Sequence, residues 1–265
     1  MQDTVRDRLW IWGHEAGSHN KGWDLPADSR MTPLEGACYL GVPNMIMVRY
    51  EGQPAMPFDQ YALALRPLKR LYWSTVGAGG ENSAEERAHV LALAQRFPNI
   101  MGLFMDDFFH APEHAGDAGV LPVEQISALK QEMRLPDRTL RLGVTLYTHQ
   151  LDMPLAPYLA LCDDVSLWTW RAADLRNMEA NMARLEQLAP DSNKLLGLYM
   201  WDYGTHQPMP VEFMEQQCET GLAWLRDGRI AGMIFLASCI CDLELDAVEW
   251  SRAWIARVGN TPLSR

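Results

Sequence analysis

Eight short apolar runs recur along the chain, and several are apolar at every position rather than at every second one. They are Leu9–Gly13, Met45–Tyr50, Arg70–Thr75, Ile100–Asp106, Leu140–Tyr147, Asp164–Trp170, Lys194–Trp201 and Ile230–Ser238. Ile100-Met-Gly-Leu-Phe-Met105 and Ala231-Gly-Met-Ile-Phe-Leu-Ala237 show the pattern most clearly. A strand without alternation is buried on both faces, which a parallel sheet covered by helices requires. Helical signals lie between the runs. Thr32-Pro33-Leu34-Glu35 combines an N-cap, a first-turn proline and a capping-box Glu, and Ser83-Ala-Glu-Glu86 reads as a second capping box before a long amphipathic run to Phe97. Further helix starts are expected at Asp59, Pro122, Pro154, Ala172, Pro210 and Asp246.

Strand-to-strand spacing of about 20 to 45 residues suits a strand, a helix and two loops. Eight such units in 265 residues predict one closed (β/α)8 barrel spanning residues 1–265, with no linker or repeat to divide it. An open doubly wound sheet is the competitor. It carries a Gly-rich phosphate loop after its first strand, and the first strand here runs into Trp12-Gly-His-Glu-Ala-Gly17, which lacks the G-x-G-x-x-G spacing.

Composition narrows the partners. The net charge of −11 repels phosphate backbones, so a nucleic-acid partner is not expected. No apolar run reaches the roughly 18 residues of a membrane span, and Met1–Trp10 has no apolar leader core, which gives a cytoplasmic expectation unless a leader was removed. The five cysteines are odd in number, and Cys239-Ile-Cys241 has no second pair for a zinc site, so buried free thiols are expected. No lysine ends a strand, which disfavours Schiff-base chemistry. The last two strand ends lack a glycine-rich phosphate turn, and the first lacks H-x-H. His110-Ala-Pro-Glu-His114 fits H-x-x-E-H, but Pro112 and the glycines after it argue against the helix that motif needs.

Barrel chemistry sits at the C-terminal ends of the strands. Those ends supply Trp12, His14 and Glu15; Arg49; Trp73; Asp106 and Asp107; Tyr147 and His149; Trp168 and Trp170; and Trp201, Asp202 and Tyr203. Aromatic faces beside carboxylates suit a sugar ring, whose C–H face packs on aromatics while its hydroxyls bond to acids. Met105-Asp106-Asp107-Phe108-Phe109 is the sharpest motif. Neighbouring strand residues face opposite sides, so both acids reach one site only where the strand has broken into its loop. Burial and a like charge nearby both raise a carboxyl pKa, as a general acid requires. The plain alternative is that Asp107 caps the next segment or pairs with an Arg. For Asp202, a turn-forming role before Gly204 stands beside a role as nucleophile, base or hydroxyl ligand.

On these residues the chain resembles the (β/α)8-barrel glycoside hydrolases. In the large retaining clan the acid/base ends the fourth strand and the nucleophile the seventh, the positions of Asp106/Asp107 and Asp202. That clan normally uses Glu, and here both positions hold Asp. Paired acids after the fourth strand look more like hexosaminidase-type barrels, where one acid orients the substrate's 2-acetamido group and the next protonates the leaving oxygen. The resemblance implies a carbohydrate substrate, with Asp106, Asp107 and Asp202 catalytic and the other strand-end residues binding sugar. No cofactor or metal is expected on this reading. Two alternatives remain: a metal-dependent sugar isomerase, epimerase or lyase built on Glu15, Asp106, His149, Asp202 and Asp242, and a sugar-binding barrel without catalysis.

Overall fold

The computed structural model describes residues 3–111, 113 and 117–263. Eight parallel strands close into a barrel: β1 (Leu9–Gly13), β2 (Asn44–Met47), β3 (Arg70–Val76), β4 (Ile100–Met105), β5 (Arg141–Tyr147), β6 (Asp164–Trp168), β7 (Asn193–Tyr199) and β8 (Gly232–Leu236). Each pairs with its neighbours in sequence, and β8 closes the ring on β1 with Trp10 opposite Ile234. Outside lie α1 (Pro33–Leu40), α2 (Asp59–Ala64), α3 (Ala84–Arg96), α4 (Val123–Glu132), α5 (Ala156–Leu159), α6 (Met178–Leu188), α7 (Val211–Arg226) and α8 (Asp246–Val258). The architecture is a single (β/α)8 barrel, as the two-sided apolar runs predict. No helix among the described residues is long and apolar enough to cross a membrane.

Local signals act as expected at α1, where the Thr32 and Glu35 side chains cap reciprocally. At α3 the box is only half formed. Ser83 Oγ accepts from the Glu86 N–H at 3.4 Å, but the Glu86 carboxylate turns away to pair with Arg49. The helix expected from Ala172 begins as a 3-10 segment, Ala172–Asn177, before α6. The His110–His114 motif lies in part outside the described residues, at Pro112 and His114.

The barrel interior is filled mainly by aromatics rather than by the branched aliphatics usual in this fold. Ring centroids follow one another from Trp10 to Tyr72 (5.6 Å), Phe104 (5.5 Å), Trp12 (5.6 Å), Trp168 (5.1 Å) and Tyr199 (5.0 Å). Glycines on adjoining strands make the room. A Cβ on Gly102 would meet Tyr72, one on Gly143 would meet Phe104, and one on Gly197 would meet Trp168, each within 2.4 Å. The N-terminal mouth is closed by ions instead. Arg141 grips Asp164 through two hydrogen bonds of 2.8 Å, and Asn193 Nδ2 and the Tyr72 hydroxyl donate to the same carboxylate. Bonding to Asp164 on this scale lets a barely exposed carboxylate stay buried.

Candidate active site

The column of rings ends at a cavity in the C-terminal mouth. Its walls include Trp12, His14, His19, Trp23, Tyr50, Asp106, Asp107, Thr145, Tyr147, Trp168, Trp170, Tyr199 and Tyr203. The closed volume between them is about 90 Å³, and the space counted out through the open mouth is about 500 Å³.

The two acids reach this space by different routes. Asp106 continues the inward face of β4, two residues after Phe104, and is buried. Asp107 follows with φ of +43°, a left-handed conformation that Asp tolerates better than most residues. That turn breaks the strand's alternation and brings the second carboxyl to the same cavity. Asp106 Oδ1 accepts from Thr145 Oγ1 at 3.0 Å and from the Asp107 N–H at 2.9 Å. Asp107 accepts on both oxygens, from the Tyr147 hydroxyl at 2.6 Å and the Gly79 N–H at 2.8 Å. Gly79 has φ of +78°, so its N–H is presented by a turn that an L side chain would strain.

Electrostatics separate the pair further. Burial, and then the neighbouring Asp107 charge, push the Asp106 carboxyl well above its ordinary range, against the Thr145 and Asp107 hydrogen bonds. Burial raises the phenols of Tyr147, Tyr199 and Tyr203, so all three stay neutral. Burial also holds His14 well below the usual imidazole range, with His19 beside it adding to the effect, and lowers His19 to about 4. His19 Nδ1 lies 3.0 Å from the Tyr203 hydroxyl. The cavity is thus apolar and aromatic, with its formal charge confined to one pair of acids.

Of the residues expected from the strand ends, the structure gathers Trp12, His14, Asp106, Asp107, Tyr147, Trp168, Trp170 and Tyr203 around this space. It places the others elsewhere. Trp73 faces the helix layer and packs on Phe58 at 5.4 Å. Arg49 pairs with Glu86 and lies 3.9 Å from Glu81. Glu15 accepts from the Tyr61 hydroxyl. His149 is exposed and stacks on the outer side of Tyr147 at 5.5 Å. Trp201 lies beneath the rim, its Nε1 donating to the Trp23 carbonyl at 3.0 Å. Asp202 is buried but takes the turn-forming position, accepting from the Ala172 and Gly204 N–H groups at 3.3 and 3.2 Å.

The five residues of the metal reading do not converge. Asp242 accepts from the Arg30 N–H, and no metal-holding group of three or more His, Cys, Asp or Glu occurs among the described residues. The cysteines are free; Cys239 and Cys241 are buried, whereas Cys38 is exposed. Two further wall residues are marked in the sequence: Tyr50, which ends the run Met45–Tyr50, and Thr145, which shares the inward face of β5 with Tyr147 at a spacing of two. His19 and Trp23 come from the loop after β1, where no periodicity marks them.

No protein-family model matches the chain, and no curated protein matches it. Among solved structures it is similar to active domain 2 of the thermostable chitinase of Pyrococcus furiosus, with a TM-score of 0.58 at 12% identity over 96% of this chain and 95% of that one. It is similar to a putative alpha-L-fucosidase of Bacteroides thetaiotaomicron (TM-score 0.56, 10% identity, 96% and 95%). The beta-D-glucuronidase of Dictyoglomus thermophilum matches with a TM-score of 0.58 at 9% identity, over 99% of this chain and 52% of that one. These three neighbours are glycoside hydrolases by name, whereas the tryptophan synthase complex of Pyrococcus furiosus, which is not one, also matches (TM-score 0.53, 10% identity, 97% and 99%). At these identities the likeness is one of fold, and a barrel alone does not fix a reaction.

Proposed function

We propose that the protein is a glycoside hydrolase whose chemistry is carried by the Asp106–Asp107 pair. The observation behind this reading is the unequal setting of two adjacent acids in one aromatic cavity. Asp106, buried and held protonated, is the general acid; its proton goes to the glycosidic oxygen as the bond from that oxygen to the anomeric carbon breaks. Asp107, fixed by Tyr147 and Gly79, faces the positive charge that develops on the ring. Water then adds to the anomeric carbon, and Asp106 takes its proton back. Trp12, Trp168 and Trp170 supply faces for the ring, and Tyr199 and Tyr203 supply hydroxyls.

Asp202 is committed to backbone N–H groups, so a nucleophile at the end of β7 has no support in this geometry. With no third acid among the described cavity walls, the arrangement favours a nucleophile brought by the substrate, as in the barrels that use a 2-acetamido group. The test is a panel of aryl glycosides with and without that group, assayed with Asp106→Asn, Asp107→Asn and Asp202→Asn. Loss of a general acid costs roughly 10²–10⁴ in rate, and less where the leaving group needs no proton. The 106 and 107 variants should fall and the 202 variant should stay near the parent. Wild-type turnover in both the 106 and 107 variants, on a substrate the parent cleaves, would refute the assignment. Cleavage or isomerisation only with added divalent metal would favour the isomerase or lyase reading instead.

A further inference from the structure

The cavity differs in its charge from what an acidic sugar would need. None of its wall residues among the described residues is Lys or Arg. Its two histidines are neutral for the reasons given above, and its acids are adjacent. Neither arginine near the mouth lines the cavity: Arg49 is held by Glu86, and Arg171 is exposed to solvent. The chain as a whole carries −11, which extends the unfavourable field beyond the site. Carboxylates, sulfates and phosphates are ordinarily gripped by the forked donors of Arg or by Lys. Here such a group would meet aromatic faces and two carboxyls with nothing to neutralise it. A protonated amine would meet the reverse, since ring faces and carboxylates both attract cations.

We infer that the site selects its sugar by charge. It accepts a ring that is uncharged or bears a protonated amine, and it rejects uronic acids and sulfated or phosphorylated sugars. The inference rests on the carbohydrate reading above and makes it more specific. It also separates this chain from the glucuronidase whose barrel it shares.

The experiment compares ligands that share a ring configuration and differ chiefly in charge. In each of several ring configurations, three probes are used: a piperidine iminosugar, protonated at neutral pH; the neutral lactam of the same configuration; and the iminosugar with a carboxylate in place of its hydroxymethyl group. Binding is read by calorimetry and by quenching of tryptophan fluorescence, to which Trp12, Trp168 and Trp170 contribute from within the cavity. The protonated probe should bind tightest and the lactam next. The carboxylate form should be weaker than its parent by on the order of 100-fold, since like-charge contacts cost several kcal/mol. Ala78→Arg adds a cation at a small, half-buried wall residue and should recover much of the binding of the carboxylate probe. A carboxylate probe that matches or exceeds its parent in the unaltered protein overturns the inference while leaving the carbohydrate reading intact. Failure of all three charge forms in every configuration sinks both.

Discussion

Gly197→Ala tests the link between barrel packing and the site. A Cβ at position 197 would lie 2.1 Å from Trp168 Cδ2, 2.2 Å from Cε3 and 2.5 Å from Cε2. Ordinary carbon contacts are about 3.5 Å, so the indole must move by roughly 1.4 Å. Its escape is blocked. Trp12 and Tyr199 flank it at 5.1 and 5.0 Å, and its Nε1 is tied to Ser166 Oγ at 2.8 Å. Overpacking of this kind costs about 1–3 kcal/mol. At about 2–4 °C per kcal/mol for a chain of this size, Tm should fall by roughly 2–12 °C. Because Trp168 also lines the cavity, ligand affinity should drop with it. Thermal melts and ligand titrations measure the two effects. Gly22→Ala is the control, with nothing within 4 Å of its new Cβ, and should leave both unchanged. In the Gly197→Ala background, Trp168→Phe removes the obstructing ring and should cost less than in the parent, a non-additivity read by a double-mutant cycle. A Gly197→Ala protein with parental Tm and parental affinity would refute the packing argument.

Asp106→Asn should lose activity yet gain stability at neutral pH. Because the folded pKa of Asp106 lies above the ordinary 3.8, the parent's folding is favoured at low pH and loses stability as pH rises from that value through the folded pKa. The variant lacks this loss, so its advantage in denaturant melts should be larger at pH 7 than at pH 4. Tyr147→Phe removes the 2.6 Å donor to Asp107. Bonds to charged groups contribute about 1.5–3 kcal/mol, so Tm should fall by roughly 3–12 °C, and kcat/KM per folded molecule should fall about 10- to 100-fold. Arg141→Met strands the buried Asp164 at the opposite mouth. The cost should be about 2 kcal/mol in urea melts, below that of a fully buried pair because Arg141 is 37% exposed, with turnover per folded molecule unaltered.

The barrel was legible because burial on both faces leaves an unbroken apolar run. The same property hides which side chains point inward. On β3, Tyr72 and Ser74 share the inward face and Trp73 the outward one, and all three are buried, so nothing in the residues sets the phase. Strand ends were blurred for a related reason. Apolar aromatics continue past β6 and β7 into the rim, so the runs extend to Trp170 and Trp201 where the ladder stops at Trp168 and Tyr199. Two residues of overrun on β7 put Asp202 at a strand end, whereas Trp201–Asp202 pairs with Gln207–Pro208 in a separate two-stranded ladder. The Asp106–Asp107 pair escaped this ambiguity. Two adjacent acids cannot both be outward on a strand buried on each side, so whichever phase β4 takes, at least one carboxyl enters the barrel mouth. The left-handed turn at Asp107 then delivers the second. Its place in the mouth was readable from local chemistry, whereas the places of Trp73, Glu15 and Asp202 depended on tertiary partners, Phe58, Tyr61 and the Ala172 N–H, that lie 15 to 46 residues away in sequence.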